Sequence, residues 1–272
     1  VADAAIARAG LELGQIARSV LAVAGTDTDN LDRHVRAVRG DWIVVNDVVA
    51  AWASATDARP GVGVISGTGS NVFGVGRDGR AWRAGGWGHL LGDEGSGYWI
   101  GAESIKLALR DRDGTGPRSA FSDEAVAFFG TPSVEALAAQ AYSKPLSKAD
   151  IAAFARVAAT LAARGEPDAR ELYARAAREL GGQIAAVIRE TGLDEDAGEP
   201  FPVGLIGSAF HAGEVFVGPL RECVGERAAN AAVTVVDTPP VAGSVMLAAH
   251  LCASGAQLTA SALAPVIARA AE

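Results

Sequence analysis

Residues 62–75 read V-G-V-I-S-G-T-G-S-N-V-F-G-V, two apolar runs separated by a polar, glycine-rich stretch. The runs predict strands at residues 62–65 and 72–75. Glycine lets a backbone approach an oxyanion closely, and the hydroxyls of Thr68 and Ser70 add donors, so the connection can cradle a phosphate. A plain hairpin turn is the alternative. No Gly-Lys-Ser/Thr follows as in a P-loop, and no G-x-G-x-x-G opens a helix.

The elements beyond this hairpin predict a mixed α/β domain. A third strand at residues 81–83 follows the turn Arg77-Asp78-Gly79, and helical periodicity then dominates up to residue 191. Strands and helices alternate after that point, at residues 203–206, 212–228, 233–236, 241–252 and 260–270.

The first 59 residues repeat the end of that order. Helices alternate there with buried strands, at residues 4–13, 19–24, 31–38, 42–45 and 48–55. Arg59-Pro60-Gly61 is the best boundary, since turn residues flank it. The order predicts two copies of one βββαβαβα unit, of which the first copy lacks its three opening strands.

Composition narrows the function classes. The chain has 272 residues, 49% hydrophobic and 21% charged, as in an ordinary globular protein of one or two domains. A net charge of −8 argues against a partner of nucleic acids or anionic membranes. Cys223 and Cys252 are the only cysteines, and the longest mainly apolar stretch, residues 241–253, is too short to cross a bilayer. We expect a soluble, cytoplasmic protein without a cluster of metal ligands.

Two strand-to-helix junctions carry candidate site residues. Asn46 and Asp47 follow a buried strand, at the edge where open α/β sheets bind ligands. A carboxylate at Asp47 either caps the helix or acts as a general base, and the two roles are compatible. Gly207 and Ser208 also lie between a strand and a helix, where a small-residue turn can receive a nucleotide or simply form a tight turn.

Residues 85–99, G-G-W-G-H-L-L-G-D-E-G-S-G-Y-W, are unlike a core strand or a solvated helix. Glycine-rich backbone beside aromatic planes and carboxylates suits a sugar, whose apolar face stacks and whose hydroxyls donate to carboxylates. The alternative is a structural loop with Trp87 and Trp99 anchored in the core. His89 fits a structural histidine better than a base, and Glu94 fits a charge stabilising the next helix.

Together these motifs resemble the acetate/sugar kinase–Hsp70–actin superfamily, and more closely the N-acetylglucosamine kinases grouped with the BadF/BadG ATPases. The resemblance runs from about residue 19 to 249 and is sharpest at residues 44–51, 65–71 and 85–99. It implies an α/β fold of two ribonuclease-H-like (actin-like ATPase) domains with a central cleft that closes on ATP and sugar. Homodimers are common in the family.

The resemblance also implies a role for each motif. Asp47 matches the catalytic base, which takes the proton of the attacking sugar hydroxyl. The other matches are a second phosphate-binding loop at Gly67, Thr68, Gly69 and Ser70, a sugar pocket at Asn71, Gly86, Trp87 and Asp93, and an adenosine-side turn at Gly207 and Ser208. ATP and Mg²⁺ are the implied cofactors, and no residue is assigned as a metal ligand.

One family motif is absent from the 272 residues, the D-G-G-G-T/S-K-T hairpin of the first phosphate loop. Its expected place is upstream of Val1, with a natural departure from the family pattern as the alternative, and the chain as given is expected to be a poor or inactive kinase. The predicted domains are residues 1–59 and residues 60–259, with a helical insertion at about 111–200. The last helix, 260–272, is a candidate to pack on the first domain.

The leading hypothesis is transfer of the γ-phosphate of ATP to the 6-hydroxyl of N-acetylglucosamine. Glucosamine or another hexosamine is the near alternative. An ATPase that activates a radical reductase or dehydratase is a second class, recognisable by an iron–sulfur cluster. A non-catalytic sugar-binding module is the third.

Overall fold

The computed structural model describes residues 2–25, 28–38, 40, 42–143, 146–195 and 198–252. Its strands are β1 Ser19–Val23, β2 Trp42–Asn46, β3 Gly61–Ser66, β4 Ser70–Val75, β5 Ala81–Gly85, β6 Phe201–Ile206 and β7 Ala231–Val235. Its α-helices are α1 Ala2–Arg8, α2 Thr28–Val38, α3 Asp47–Thr56, α4 Gly97–Asp113, α5 Phe121–Phe129, α6 Val134–Ser143, α7 Lys148–Arg164, α8 Pro167–Thr191, α9 Glu214–Arg227 and α10 Val241–His250. Short 3₁₀ helices lie at Leu13–Gln15 and Ser208–Ala212.

Backbone contacts divide the chain into two compact units. The first unit comprises the residues up to Arg59 and those from Asp237 onward, and the second unit comprises Pro60–Val236. The sequence boundary at Arg59-Pro60-Gly61 thus coincides with a division of the molecule. The predicted helix at 260–272 lies outside the described residues.

The first unit is built on two parallel strands, β1 and β2, with Val20 opposite Ile43. Helix α10 packs against α3 and β1, so residues 237–252 belong to this unit, and their predicted assignment to the second domain is wrong. The approach is close, because a Cβ at Gly243 would lie 1.8 Å from the carbonyl oxygen of Ala50. A glycine on α10 therefore sets the distance between the helices.

The second unit contains a five-stranded mixed sheet in the order β5-β4-β3-β6-β7. The first three strands are antiparallel, whereas β6 pairs parallel with β3 and β7 parallel with β6. The predicted order of three strands, helices, strand, helix and strand is confirmed. The central strand β3 has Val62, Gly63 and Val64 buried in succession, as expected for a strand covered on both faces.

Helix α8 packs directly on β3, β4 and β5, and α9 packs on α8. Pro167 begins α8 and Gly192, at a φ of 68°, ends it, in line with the preference for proline at the first turn and glycine after the last. The predicted insertion at 111–200 therefore contains the helix that covers the sheet. Helices α4 and α7 pack against each other.

The helix predicted at 212–228 differs in the structure. A 3₁₀ turn occupies Ser208–Ala212, and α9 begins only at Glu214. Gly213 separates them with φ 70° and ψ −145°, a backbone conformation that essentially only glycine adopts. Among the described helices, none combines the length and the apolar character needed to cross a membrane.

Replacing Gly101 by alanine is expected to lower the free energy of unfolding by about 1–3 kcal/mol. A Cβ there would lie 2.0 Å from the carbonyl oxygen of Ile151, so α4 and α7 would have to separate. Urea unfolding measures the loss. Gly182→Ala in α8 is the control, because nothing lies within 4 Å of a Cβ there and alanine should stabilise the helix. Equal effects of the two substitutions would contradict the packing argument.

Candidate functional site

The loop between β3 and β4 has its carbonyl groups bound and two of its N–H groups open. The amide of Gly67 donates to the carbonyl of Gly69 at 2.9 Å, and the amides of Gly97 and Tyr98 donate to the carbonyls of Gly67 and Thr68 at 2.7 and 3.3 Å. The N–H groups of Thr68 and Gly69 donate to no described residue. Such a loop presents open backbone donors while its carbonyls are engaged, which suits an oxyanion.

The serines that flank this loop hold its shape from within. The Ser66 hydroxyl donates to the carbonyl of Gly95, and the Ser70 hydroxyl donates to the carbonyl of Glu94, both at 2.8 Å. The Ser70 amide donates to Oδ1 of Asp93 at 3.3 Å. The loop is thereby tied to residues 93–97, the segment that the sequence singled out on separate grounds.

Asp93 lies beside the loop in an unusual backbone conformation. Its φ of 61° is left-handed, a conformation that Asp tolerates better than most residues, and it is buried. Its Oδ2 accepts from Nζ of Lys148 at 2.7 Å. A Cβ at Gly69 would lie 3.0 Å from that oxygen and 3.1 Å from that nitrogen, so the ion pair rests on the loop backbone.

A cavity of about 480 Å³ opens beside the loop, within the second unit. Its walls are Gly67 and Thr68, the turn at Ser208–Ala212, and one face of α7. Alanines 152, 155 and 159 recur at helical spacing on that face, and their small side chains leave the space open. The volume lies in the usual range for small-molecule sites.

Gly207 brings the second predicted turn to the same cavity. Its φ is 124° and ψ 163°, and a Cβ would lie 2.3 Å from the carbonyl oxygen of Ser66. The hydroxyl oxygen of Ser208 lies 4.0 Å from the position of a Cβ on Gly67. Two turns about 140 residues apart in the chain therefore line one cavity.

The basic residues lining the cavity are Arg156 and His211, and no carboxylate is among its lining residues. This contrasts with the net charge of −8 of the chain and favours an anionic ligand. Tyr173 closes the cavity and donates its hydroxyl to the carbonyl of Ala155 at 3.0 Å. Burial raises the pKa of Tyr173, so it stays neutral.

A second polar cluster lies at the end of β5. Gly86 has a φ of 73°, and a Cβ there would lie 2.8 Å from Cγ of the buried Asn71. Gln183 of α8 donates to Oε2 of Glu94 at 3.1 Å. The same side chain lies against Gly85, because a Cβ on Gly85 would be 2.3 Å from Oε1 of Gln183. The predicted sugar residues Asn71 and Gly86 thus contact each other.

The aromatic residues of this segment differ in exposure. Trp87 is 64% exposed, with the guanidinium of Arg83 5.5 Å from its ring, so its interpretation as a core anchor is wrong. Trp99 packs against the core and carries the Arg175 guanidinium 4.8 Å from its ring, as that interpretation predicts. His89 contacts the Tyr98 ring edge-on at 4.9 Å. Trp87 is therefore the aromatic plane open to a ligand.

Asp47 is the first residue of α3, in the first unit, and is half-buried. The cap of this helix is Asn46, which accepts from the Val48 amide at 3.2 Å and donates to the Gly25 carbonyl at 2.8 Å. The capping role considered for Asp47 thus belongs to Asn46. A carboxylate in the first turn is stabilised by the helix dipole.

The site predicted from the sequence contains no residue of α7, and so it misses Lys148 and Arg156. Lys148 is one of only three lysines in the chain, and it is the first residue of its helix, where a cation opposes the helix dipole. The unfavourable position of the Lys148 charge and the helical spacing of the alanines were the two sequence signals that could have pointed to α7. Neither signal shows which residues α7 contacts, because those contacts depend on the fold.

Comparison with known proteins relates the chain to sugar kinases. It is 40% identical to an N-acetylmuramic acid/N-acetylglucosamine kinase of Clostridium acetobutylicum, over 55% of this chain and 49% of that protein. It is 30% identical to an N-acetyl-D-glucosamine kinase of Dictyostelium discoideum, over 76% and 65% of the respective lengths. The chain thus spans about half to two thirds of these curated relatives.

Solved structures share the fold. A candidate N-acetylglucosamine kinase from Chromobacterium violaceum superposes with a TM-score of 0.67 at 24% identity, covering 90% of this chain and 81% of that one. A similar protein from Porphyromonas gingivalis gives 0.60 at 21% identity, with the same coverage. The predicted mixed α/β fold is confirmed. The model of the BadF/BadG/BcrA/BcrD ATPase family matches residues 1–248, and the chain therefore belongs to that family, as its motifs predict.

Proposed function

We propose that the chain is part of an ATP-dependent amino-sugar kinase, which transfers the γ-phosphate of ATP to the 6-hydroxyl of N-acetylglucosamine. The observation that carries the proposal is the loop of residues 67–69, with bound carbonyls and open N–H groups at the mouth of a cavity. Family membership and the names of the two relatives support it.

The cavity suits the nucleotide. Phosphate oxygens would accept from the open N–H groups of Thr68 and Gly69, and the adenosine would extend past Ser208 along α7. Arg156 supplies a cation that no described carboxylate neutralises. No carboxylate lines the cavity itself, and the buried Asp93 behind the loop is paired with Lys148.

Asp47 is the proposed general base. Its carboxylate would accept the proton of the sugar hydroxyl as the oxygen attacks the γ-phosphorus and the bond to the β-phosphate oxygen breaks, giving sugar phosphate and ADP. The catalytic effect of such a group comes mainly from orienting the hydroxyl. Because Asn46 caps α3, the Asp47 carboxylate is not needed as the cap.

The sugar would bind to the segment around Asn71, Gly86, Trp87 and Asp93. The exposed face of Trp87 suits the apolar face of a pyranose ring, and an amide such as that of the buried Asn71 can both donate to and accept from sugar hydroxyls. The N-acetyl group and the 6-hydroxyl as the reacting position are parts of the proposal that rest on the relatives' names and on the resemblance.

Mg²⁺ would arrive with the nucleotide. The described residues contain no group of three or more His, Cys, Asp or Glu side chains that could hold a metal ion. Kinases hold Mg²⁺ largely through the substrate phosphates and one or two carboxylates, and no carboxylate lines this cavity, so the ion would be held mainly by the phosphates of ATP. When bound, the ion neutralises charge on the transferred phosphoryl group.

The proposal also includes the arrangement of two domains around a central cleft, a homodimer and a cytoplasmic location.

The test is sugar-dependent release of ADP by the gene product, including any residues encoded upstream of Val1. We expect ADP release with N-acetylglucosamine and none with its 6-deoxy analogue, which lacks the reacting oxygen. Phosphorus NMR of the product identifies the phosphorylated position. Faster turnover with glucosamine would change the substrate, and phosphorylation of the 6-deoxy analogue would exclude the 6-hydroxyl.

A further inference from the structure

The ion pair of Lys148 and Asp93 lies against the loop that the proposed function gives to phosphate. Its two charged atoms are 2.7 Å apart, and each lies within about 3 Å of the position of a Cβ on Gly69. The Asp93 side chain is 4% exposed and that of Lys148 is 35% exposed. The carboxylate is thus enclosed, while the ammonium borders solvent.

A carboxylate in this place works against an anion site. Oδ1 of Asp93 accepts from the Ser70 amide, so the negative charge is fixed on the loop that also carries the open N–H groups of Thr68 and Gly69. Like charges repel strongly at such short range in a partly buried site. A phosphate can bind here only if a cation compensates Asp93.

Lys148 is the cation in position to do so. Its helix does not need it, since Ser147 and Asp150 already form a capping box and a cation at the first position opposes the dipole. An ammonium group has three donors. One donates to Asp93, and no other described residue accepts from Lys148. Two donors remain for a ligand on the loop.

We propose that Lys148 is a phosphate-binding residue of this site. It neutralises Asp93 and donates to a phosphate oxygen of the nucleoside di- or triphosphate held by the N–H groups of Thr68 and Gly69. Asp93 is the positioning residue that holds the ammonium over Gly69. The proposal rests on the proposed function for its nucleotide and adds a residue that no motif contains.

The test is calorimetric binding of ADP and of adenosine to the full chain and to four variants. Lys148→Met should weaken ADP binding by at least about tenfold and leave adenosine binding unchanged, because only the phosphates meet the uncompensated carboxylate. Lys148→Arg should keep ADP affinity within about threefold, since the charge remains. Lys106→Met is the control, because Lys106 pairs with Glu103 on α4, outside the cavity lining.

The double variant Lys148→Met/Asp93→Asn separates charge from structure. Asparagine keeps the acceptor for the Ser70 amide and tolerates the left-handed backbone, so only the negative charge is lost. We expect ADP affinity to recover toward that of the wild type. A purely structural role of Lys148 predicts equal losses for ADP and adenosine and no recovery, and either result overturns the proposal. A wild-type chain that binds neither ADP nor ATP would remove the proposed nucleotide site as well.

Discussion

Asp47→Asn in the gene product is expected to lower kcat by about 10³-fold, within the range that general acid–base catalysis contributes. Asparagine keeps the size of the side chain but cannot accept the proton of the sugar hydroxyl. ADP and sugar should still bind, because the cavity and the loop of residues 67–69 belong to the second unit. Initial rates of ADP release and calorimetric binding of both ligands measure the two effects.

The control for this prediction is Asp57→Asn at the other end of the same helix. Asp57 ends α3 with a φ of 55°, which asparagine tolerates well, and its carboxylate lies 3.6 Å from the Arg59 guanidinium. Its kcat should stay within about twofold of the wild type, as for most surface substitutions. Normal turnover of Asp47→Asn, or loss of ligand binding along with it, would contradict the role as general base.

Gly207→Ala is expected to destabilise the second unit strongly, because a backbone cost and a steric cost add at this position. Its backbone lies in a region that essentially only glycine occupies, which costs other residues about 1–3 kcal/mol. A Cβ would in addition lie 2.3 Å from the carbonyl oxygen of Ser66, which directly precedes the loop of residues 67–69 that we propose binds phosphate. We expect a loss of about 3 kcal/mol or more in unfolding free energy and a fall in Tm on the order of 10 °C.

Gly213→Ala is the matched control, since it lies in the same turn. Its backbone also favours glycine, at φ 70° and ψ −145°, but nothing lies within 4 Å of a Cβ there. It should show only the backbone cost and should bind ADP normally, whereas Gly207→Ala should lose ADP affinity because its turn and loop move apart. Thermal unfolding and calorimetry measure both. Similar results for the two variants would mean that the close contact with Ser66 is unimportant.

Local signals in the sequence were enough for most secondary structure. Helix α7 occupies residues 148–164, within the stretch predicted to be mainly helical, because Ser147 and Asp150 mark its start and Gly165 its end. The predicted helix 212–228 is wrong at its start, since residues 208–212 form a separate 3₁₀ turn in which Ser208 lies against the loop of residues 67–69. Helical periodicity carries no information about such a contact.

The sequence by itself was enough to identify the motifs of this protein, because each of them is a local pattern. They are the glycine-rich turns after apolar runs, the polar residue before a helix, and the run of glycine and tryptophan. It also determined the order of elements and the family. Only the tertiary structure decided which groups meet. Lys148 and Asp93 are 55 residues apart, and the turn at Gly207 reaches the cavity through the parallel pairing of β3 and β6. The physical reason is that hydrogen bonds and dihedral preferences act over a few residues, whereas an ion pair or a cavity depends on how whole helices and strands pack.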